Sequence, residues 1–269
     1  MTDIKYIISI QTYNSLQNTH KILSEINGLN KNIFEIIIID NCSLNFTLEQ
    51  KREIFKELRK LSNFKISLIL NKQNYGIGGS FKILFNYLKN KDFSYWINLQ
   101  SSGRYDASQV LSNLFEIQST KTDIDYYLHS RFLKPEDSKK YNFIRKIANY
   151  FFIKLTKICT NCNLSDPGMS VFMISKKLSS VLLNKEFTQL TNDSHFPHFM
   201  NVVLYKHLKE YKEININWKE GNVKSHLNSL SYPVLLLINL INFKFKGSFI
   251  KYNKKNEFDY EKLDFDKIA

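Results

Sequence analysis

Ile7-Ile8-Ser9-Ile10-Gln11-Thr12-Tyr13-Asn14 is an apolar run that ends in polar turn residues, and Ile36-Ile37-Ile38-Ile39-Asp40-Asn41-Cys42-Ser43 repeats the same design after an intervening amphipathic stretch. Short β-branched runs closed by turn residues read as buried strands. Working outward from this pair, strands are expected at 4–10, 35–39, 65–70, 95–99 and 125–128. Helices are expected at 16–29, 48–61, 79–89 and 107–117, where apolar residues recur every three or four positions. That alternation predicts βαβ units around a mainly parallel, doubly wound sheet of the α/β class. Ligands of such sheets collect outside the carboxyl ends of the strands. The chemistry is therefore expected at 11–14, 40–43, 71–79 and 100–104.

The chain has 269 residues, 43% of them hydrophobic, enough for a sizeable core. With 8 Gly, 4 Pro and 23% charged residues, collagen-like, low-complexity and disordered classes are excluded. Lys and Arg number 38 against 25 Asp and Glu, and the net charge of +13 favours partners that carry phosphate: a nucleotide, a nucleic acid or an anionic membrane face. The three cysteines, Cys42, Cys159 and Cys162, are too few for a disulfide framework and fit a reducing compartment. No secretory leader is read at the N-terminus, so a cytoplasmic protein is expected. The apolar run at 234–241 is interrupted by Asn239 and falls short of the roughly 20 residues that span a bilayer.

Two segments, 141–158 and 232–246, are amphipathic, and residues 131–161 hold eight Lys or Arg against two acids. Such helices are either core elements with a solvated basic edge or interfacial helices whose cations face anionic headgroups. The last nineteen residues balance five Lys against five acids and are expected to form a helix or tail outside the main fold. The organisation expected is a domain at 1–230 followed by an amphipathic and mixed-charge extension at 231–269.

The paired strand ends resemble family 2 glycosyltransferases of the GT-A fold, a Rossmann-like sheet flanked by helices. In that family the first strand typically closes in Pro-Thr-Tyr-Asn and the second in Asp followed by a Ser-containing turn. Gln11 stands where proline is usual. The resemblance implies that Thr12, Tyr13 and Asp40 hold the base and ribose of a UDP- or GDP-type sugar donor. The segment Asn74-Tyr75-Gly76-Ile77-Gly78-Gly79 is similar to the family's Asn-x-Gly-x-Gly element, which implies nucleotide contacts from Asn74, Gly76 and Gly79 with Lys72 as a phosphate neighbour. Glycines permit close approach, and a helix start offers free N–H groups to phosphate.

The fourth strand of the family ends in Asp-x-Asp, which binds the divalent cation that bridges the donor phosphates. Here Gln100 and Ser102 occupy the two aspartate positions, in a register set by Gly103-Arg104-Tyr105-Asp106. Neutral oxygens are poor ligands for Mg²⁺ or Mn²⁺. No cofactor and no metal ligands are therefore expected, with Mg²⁺ or Mn²⁺ as the alternative, and Arg104 is the candidate for stabilising the departing diphosphate. The segments around Ser130-Arg131, Asp166-Pro167-Gly168 and Gly221-Asn222-Val223-Lys224-Ser225 resemble, in order, those of polyprenyl-phosphate glycosyltransferases related to dolichyl-phosphate mannose synthase. By that resemblance Arg131 and Lys224 grip an acceptor phosphate. Asp166 and Asp193 are the remaining acids near the site, and Asp193 is the candidate base for a hydroxyl acceptor.

The reading that results is an inverting glycosyltransferase acting on a membrane-associated acceptor, a polyprenyl phosphate or a growing surface glycan, at the inner face of the cell membrane. Two other classes stand beside it: a catalytically silent GT-A scaffold, favoured by the loss of Asp-x-Asp, and a basic nucleic-acid-binding module. Cys159-x-x-Cys162 and His195-x-x-His198 are too far apart in sequence to argue for zinc.

Overall fold

A computed structural model describes residues 4–29, 32–120, 124–134, 143–219, 231–250 and 265–268. Four parallel strands form its centre: β1 (Tyr6–Thr12), β2 (Ile33–Asp40), β3 (Ile66–Asn71) and β4 (Tyr95–Gln100), in the order β3-β2-β1-β4. Every residue of β1 is buried, as is all of β2 except Phe34. This is why these strands read as unbroken apolar runs: helices cover both faces of a parallel sheet. The strand ends lie side by side, with Thr12 in register with Asp40 and Gln11 in register with Gln100.

Beyond β4 the sheet continues through β5 (Tyr126–Ser130), β6 (Phe172–Ser175) and β7 (Tyr211–Asn215), and β8 (Phe265–Ile268) joins the far edge. β6 is inserted antiparallel between β4 and β5 in a sheet that is otherwise mainly parallel, as expected. β7 is parallel to β5. β8 pairs antiparallel with β3, which corrects the expectation that the whole C-terminal stretch is a helix or tail outside the fold.

The helices are α1 (Thr19–Asn27), α2 (Leu48–Leu61), α3 (Gly76–Leu88), α4 (Ala107–Thr120), α5 (Phe143–Thr160), the single turns α6 (Lys176–Ser179) and α7 (Lys185–Thr188), α8 (Phe196–Tyr205) and α9 (Ser231–Lys246). Leu16–Asn18 forms a 3₁₀ turn ahead of α1 rather than the expected helix start. α2 begins where Thr47 and Gln50 close a capping box, which satisfies two of the amides left without helical partners. α3 and α8 are the most buried helices. Phe81 stacks on Phe172 and Phe196 at 6.0 and 5.4 Å, and Phe85 meets Trp96 edge-on at 5.7 Å. These contacts bind α3, the sheet and α8 into one core.

α5 and α9 pack on one another, tied by Lys244 Nζ donating to the Ile158 carbonyl at 3.1 Å. α5 buries only Thr156 fully, and packs Phe152, Leu155 and Cys159 against the core. Phe143, Ile144, Ile147, Phe151 and Ile158 on α5 and Val234, Leu237, Ile238, Ile241 and Phe245 on α9 are exposed, Phe143 at 73% and Phe245 at 83%. Among the described residues no helix is long and apolar enough to cross a membrane.

Two buried cations hold the carboxyl edge of the sheet. Lys51 of α2 reaches the fully buried Asp40 at 2.8 Å. Lys82 of α3, 2% exposed, donates to the Leu190 carbonyl and to Asn192 Oδ1, both at 2.6 Å. Burial lowers the Lys82 ammonium to about 8. Asp40→Ala strands the Lys51 charge and is expected to cost about 3–5 kcal/mol in urea unfolding; a loss under 1 kcal/mol would show that Lys51 is not dependent on it. The folded state binds the Lys82 proton less tightly than the unfolded chain, where lysine titrates near 10.5. Stability therefore rises as pH climbs from about 8 to about 10.5, by about 3 kcal/mol. Lys82→Met should remove that rise relative to wild type, and parallel pH profiles for the two proteins would contradict it.

Candidate active site

A cavity of about 680 Å³ opens at the carboxyl edge of the central strands. Its floor comes from the ends of β1 and β4: Gln11, Thr12 and Tyr13 beside Gln100, Ser101 and Ser102. Asn41, Asn74, Gly76, Arg104, Arg131, Asp166 and Asp193 also line it. Phe152 and Ile153 of α5 with Tyr232 and Leu236 of α9 complete the wall.

Asp40, read from sequence as a base contact, is not on this wall. Its carboxylate is fully buried and engaged by Lys51, by the Ser43 amide at 3.1 Å and by the Ser43 hydroxyl. A charge at that depth is stable only with such partners, so its work is to hold the β2 turn to α2. One residue later, Asn41 faces the cavity. Its amide donates to Asn74 Oδ1 at 2.8 Å and accepts from the Tyr75 amide and Asn71 Nδ2, each at 3.0 Å. Asn74 in turn accepts the Gly76 amide at 2.9 Å. Sequence reasoning passed over Asn41; its position directly after the strand-ending Asp was the available signal.

The glycine cluster serves packing more than ligand approach. A Cβ on Gly76, whose φ is +72°, would sit 2.1 Å from the Asn192 carbonyl oxygen, and one on Gly78 would sit 2.5 Å from that of Thr191. The Gly78 amide donates to the Asn192 carbonyl at 2.9 Å. The start of α3 is thereby pressed onto the loop that carries Asp193. Gly76 lines the cavity, whereas Gly79 is buried inside α3 and Lys72 is exposed outside the wall.

Arg131 and Asp166, singled out for different roles, are brought together as one unit. Arg131 Nε and Nη2 reach the two Asp166 oxygens at 2.7 and 2.8 Å, and the Arg131 amide adds a bond at 3.1 Å. With both oxygens committed, Asp166 orients Arg131 and is not placed as a base. The Arg104 and Arg131 guanidiniums both lie over the Trp218 ring, at 5.8 and 5.4 Å, and Tyr105 stacks on the same ring at 5.9 Å. Lys224 lies outside the described residues.

Asp193 accepts from the His195 amide at 2.8 Å and lies 2.9 Å from His195 Nδ1. Burial pushes its carboxyl up, but the hydrogen bonds from His195 outweigh this and hold it below the usual carboxylate range. His195 Nε2 lies 2.9 Å from the Tyr232 carbonyl, and the two rings stack at 4.1 Å. The loop of Asp193 is thus tied to α9. The Tyr232 hydroxyl is raised to about 12, first by burial, and stays protonated. His198 bonds Thr156 of α5 instead, at 2.9 Å, and burial lowers it to about 3.

The residues at the Asp-x-Asp position do not fit a divalent cation. Gln100 offers an amide that bonds Ser170, Ser102 offers a neutral hydroxyl, and the nearby acid Asp166 is saturated by Arg131. Among the described residues no three His, Cys, Asp or Glu side chains converge on a common point.

Residues 7–181 match the family described as glycosyl transferase family 2. Among solved structures the chain is similar to S. aureus TarS 1–349, with 14% identity over 90% of this chain and 73% of that one and a TM-score of 0.53. Glucosyl-3-phosphoglycerate synthase from Mycobacterium tuberculosis, in complex with phosphoglyceric acid, aligns at 11% identity over 90% of this chain and 80% of that one, with a TM-score of 0.57. The same enzyme in complex with Mn²⁺ and UDP-glucose aligns at 10% identity over 88% and 77%, also at 0.57. No curated protein sequence matches the chain. At such identities the structures establish a shared α/β fold of the GT-A kind, and the family match, which spans well over half of the sequence, makes the chain a glycosyltransferase of family 2.

Proposed function

We propose that this protein transfers a sugar, with inversion, from a UDP- or GDP-type nucleotide-sugar to an acceptor at the inner face of the cell membrane, either a polyprenyl phosphate or a growing surface glycan. The observation that carries the reading is the mixed lining of the cavity. Polar strand-end turns (Thr12, Tyr13, Asn41, Asn74) line it together with Phe152, Ile153, Tyr232 and Leu236 of two helices that expose other apolar side chains. A hydrophilic donor suits the polar turns and a membrane-tethered acceptor the two helices.

In the displacement, an acceptor oxygen forms a bond to the anomeric carbon while the bond to the donor diphosphate breaks and its electron pair leaves with the nucleoside diphosphate. Arg131, oriented by Asp166, is suited to hold an anionic acceptor against that carbon. Asp193 is held ionised by His195 and is suited to take the proton of a hydroxyl acceptor. A phosphate acceptor is already anionic and needs no base. Polyprenyl phosphate transfer is therefore expected to survive Asp193→Asn within a few-fold, whereas transfer to a glycan hydroxyl should fall roughly 10²–10⁴-fold. An unchanged rate with the hydroxyl acceptor would remove Asp193 from this role, and transfer to neither acceptor from any UDP or GDP sugar would reject the reading.

The membrane component rests on charge as well as exposure. Arg145, Lys154 and Lys157 on α5 and Lys244 and Lys246 on α9 are exposed alongside the apolar residues of the same helices. Cations near anionic headgroups contribute about 1 kcal/mol each and are screened by salt. Flotation should recover the protein with anionic but not neutral vesicles at low salt, and Phe245→Glu should reduce recovery. Equal recovery from both lipids, or from neither, would refute the attachment.

A further inference from the structure

We infer that this chain stabilises the donor diphosphate with the Arg104 guanidinium, mounted on Trp218 beside the acceptor-holding Arg131, and that sugar transfer proceeds without a divalent cation. The inference rests on the nucleotide-sugar reading above and specifies how that donor is held.

The first support is the chemistry of the cavity floor. Gln11 and Gln100, two of the residues that depart from the family pattern at the ends of β1 and β4, are direct register partners. Gln11 replaces the usual proline, and Gln100 puts a neutral amide where the family's first metal-binding aspartate would stand. Gln11 Nε2 and Ser102 Oγ are buried without a hydrogen-bond partner among the described residues. A buried polar atom left in this state is costly. An amide N–H and a hydroxyl can both donate, which suits phosphate oxygens.

The second support is the disposition of charge. Of the two carboxylates on the described cavity wall, Asp166 is bidentate to Arg131 and Asp193 is bonded to His195. Both oxygens of Asp166 are thus engaged, and Asp193 has one oxygen engaged and stands alone as a carboxylate, without a second acid beside it among the described residues.

The third is the mounting of the arginines. Gly103 turns the chain with φ +66°, a conformation that favours glycine, directly after the altered metal element. Arg104 follows on the cavity wall. Its carbonyl accepts the Lys219 amide at 2.6 Å, which ties the loop to the Trp218 segment. Trp218 is itself buried at 7% exposure. Stacking on an indole and a bidentate carboxylate restrict the guanidiniums before any ligand arrives.

As the bond from the anomeric carbon to the diphosphate oxygen breaks, the electron pair and the added negative charge stay on the diphosphate. Fixed donors aimed at that charge stabilise it without reorganising. No co-reactant beyond donor and acceptor is required.

The test is calorimetric titration of the full chain with UDP and with GDP, in EDTA and in Mn²⁺. The affinity of the preferred nucleotide should agree within about twofold between the two buffers, since no cation takes part. Arg104→Ala should weaken it by roughly tenfold or more in EDTA, as for loss of one charge-assisted contact. Arg104→Lys keeps the charge but not the planar fork and should fall between the two. Trp218→Phe keeps an aromatic platform and should weaken binding less than Arg104→Ala. Binding that appears only with Mn²⁺, or wild-type affinity in an Arg104→Ala protein with an unchanged melting curve, would overturn the inference and leave the donor reading intact. Binding of neither nucleotide in either buffer would instead defeat the donor reading, and the inference with it.

Discussion

The parallel alignment of β1 between β2 and β4 is the constraint on which the rest of the molecule depends. Parallel strands point their carboxyl ends the same way, so polar residues separated widely in sequence emerge on one edge. The alignment is secured inside the sheet by a satisfied polar chain: Trp96 Nε1 donates to Ser9 Oγ at 2.8 Å, Ser9 Oγ to Asn98 Oδ1 at 2.8 Å, and Asn98 Nδ2 to the Ser170 carbonyl at 2.7 Å. A slip of register would leave these groups buried and unpaired, which is far more costly than the net gain of any one bond. The same chain brings the Ser170 loop to the Gln100 end of β4, where it bonds the Gln100 amide.

Charge inside the fold follows a second rule. The molecule carries a net +13, yet its buried carboxylates are each matched locally: Glu35 with Lys91 at 2.9 Å, Asp40 with Lys51, Asp166 with Arg131. Desolvation makes an unmatched interior charge prohibitive. Once the strand-end acid Asp40 has been given to Lys51, the cavity floor is left to amides and hydroxyls. Its polarity is then that of hydrogen-bond donors and acceptors, and its fixed charge stands on the surrounding loops as Arg104, Arg131, Asp166 and Asp193.

α5 and α9 connect that cavity to the outside. Each contributes side chains to the cavity wall and leaves apolar side chains exposed. α9 is anchored by Phe243 and Phe249, the latter stacked on Phe199 of α8 at 4.1 Å. Through the Tyr232 and His195 stack, the same helix bears on the loop of Asp193. A helix pair that meets the exterior is thus in mechanical contact with the proposed base.

By itself the amino-acid sequence determined the central strands, the helices between them and the edge where function would sit, because burial on both faces imposes long apolar runs and a parallel sheet sends its polar residues to the strand ends. Thr12, Tyr13, Asn74, Gly76, Arg104, Arg131, Asp166 and Asp193 were all found on that basis or by resemblance, and all line one cavity. Pairing was decided only in three dimensions. The antiparallel insertion of β6 and the addition of β8 to β3 leave no trace in periodicity, since a strand's pattern records which faces are buried and not which neighbour it bonds. The same holds for charge. Asp40 could not be known to face Lys51 rather than the cavity, nor Asp166 to be saturated by Arg131, because a side chain's partner depends on distances between elements that are remote in sequence. His195 and Trp218 acquire their roles in the same way, from tertiary contacts with Tyr232 and with the two arginines.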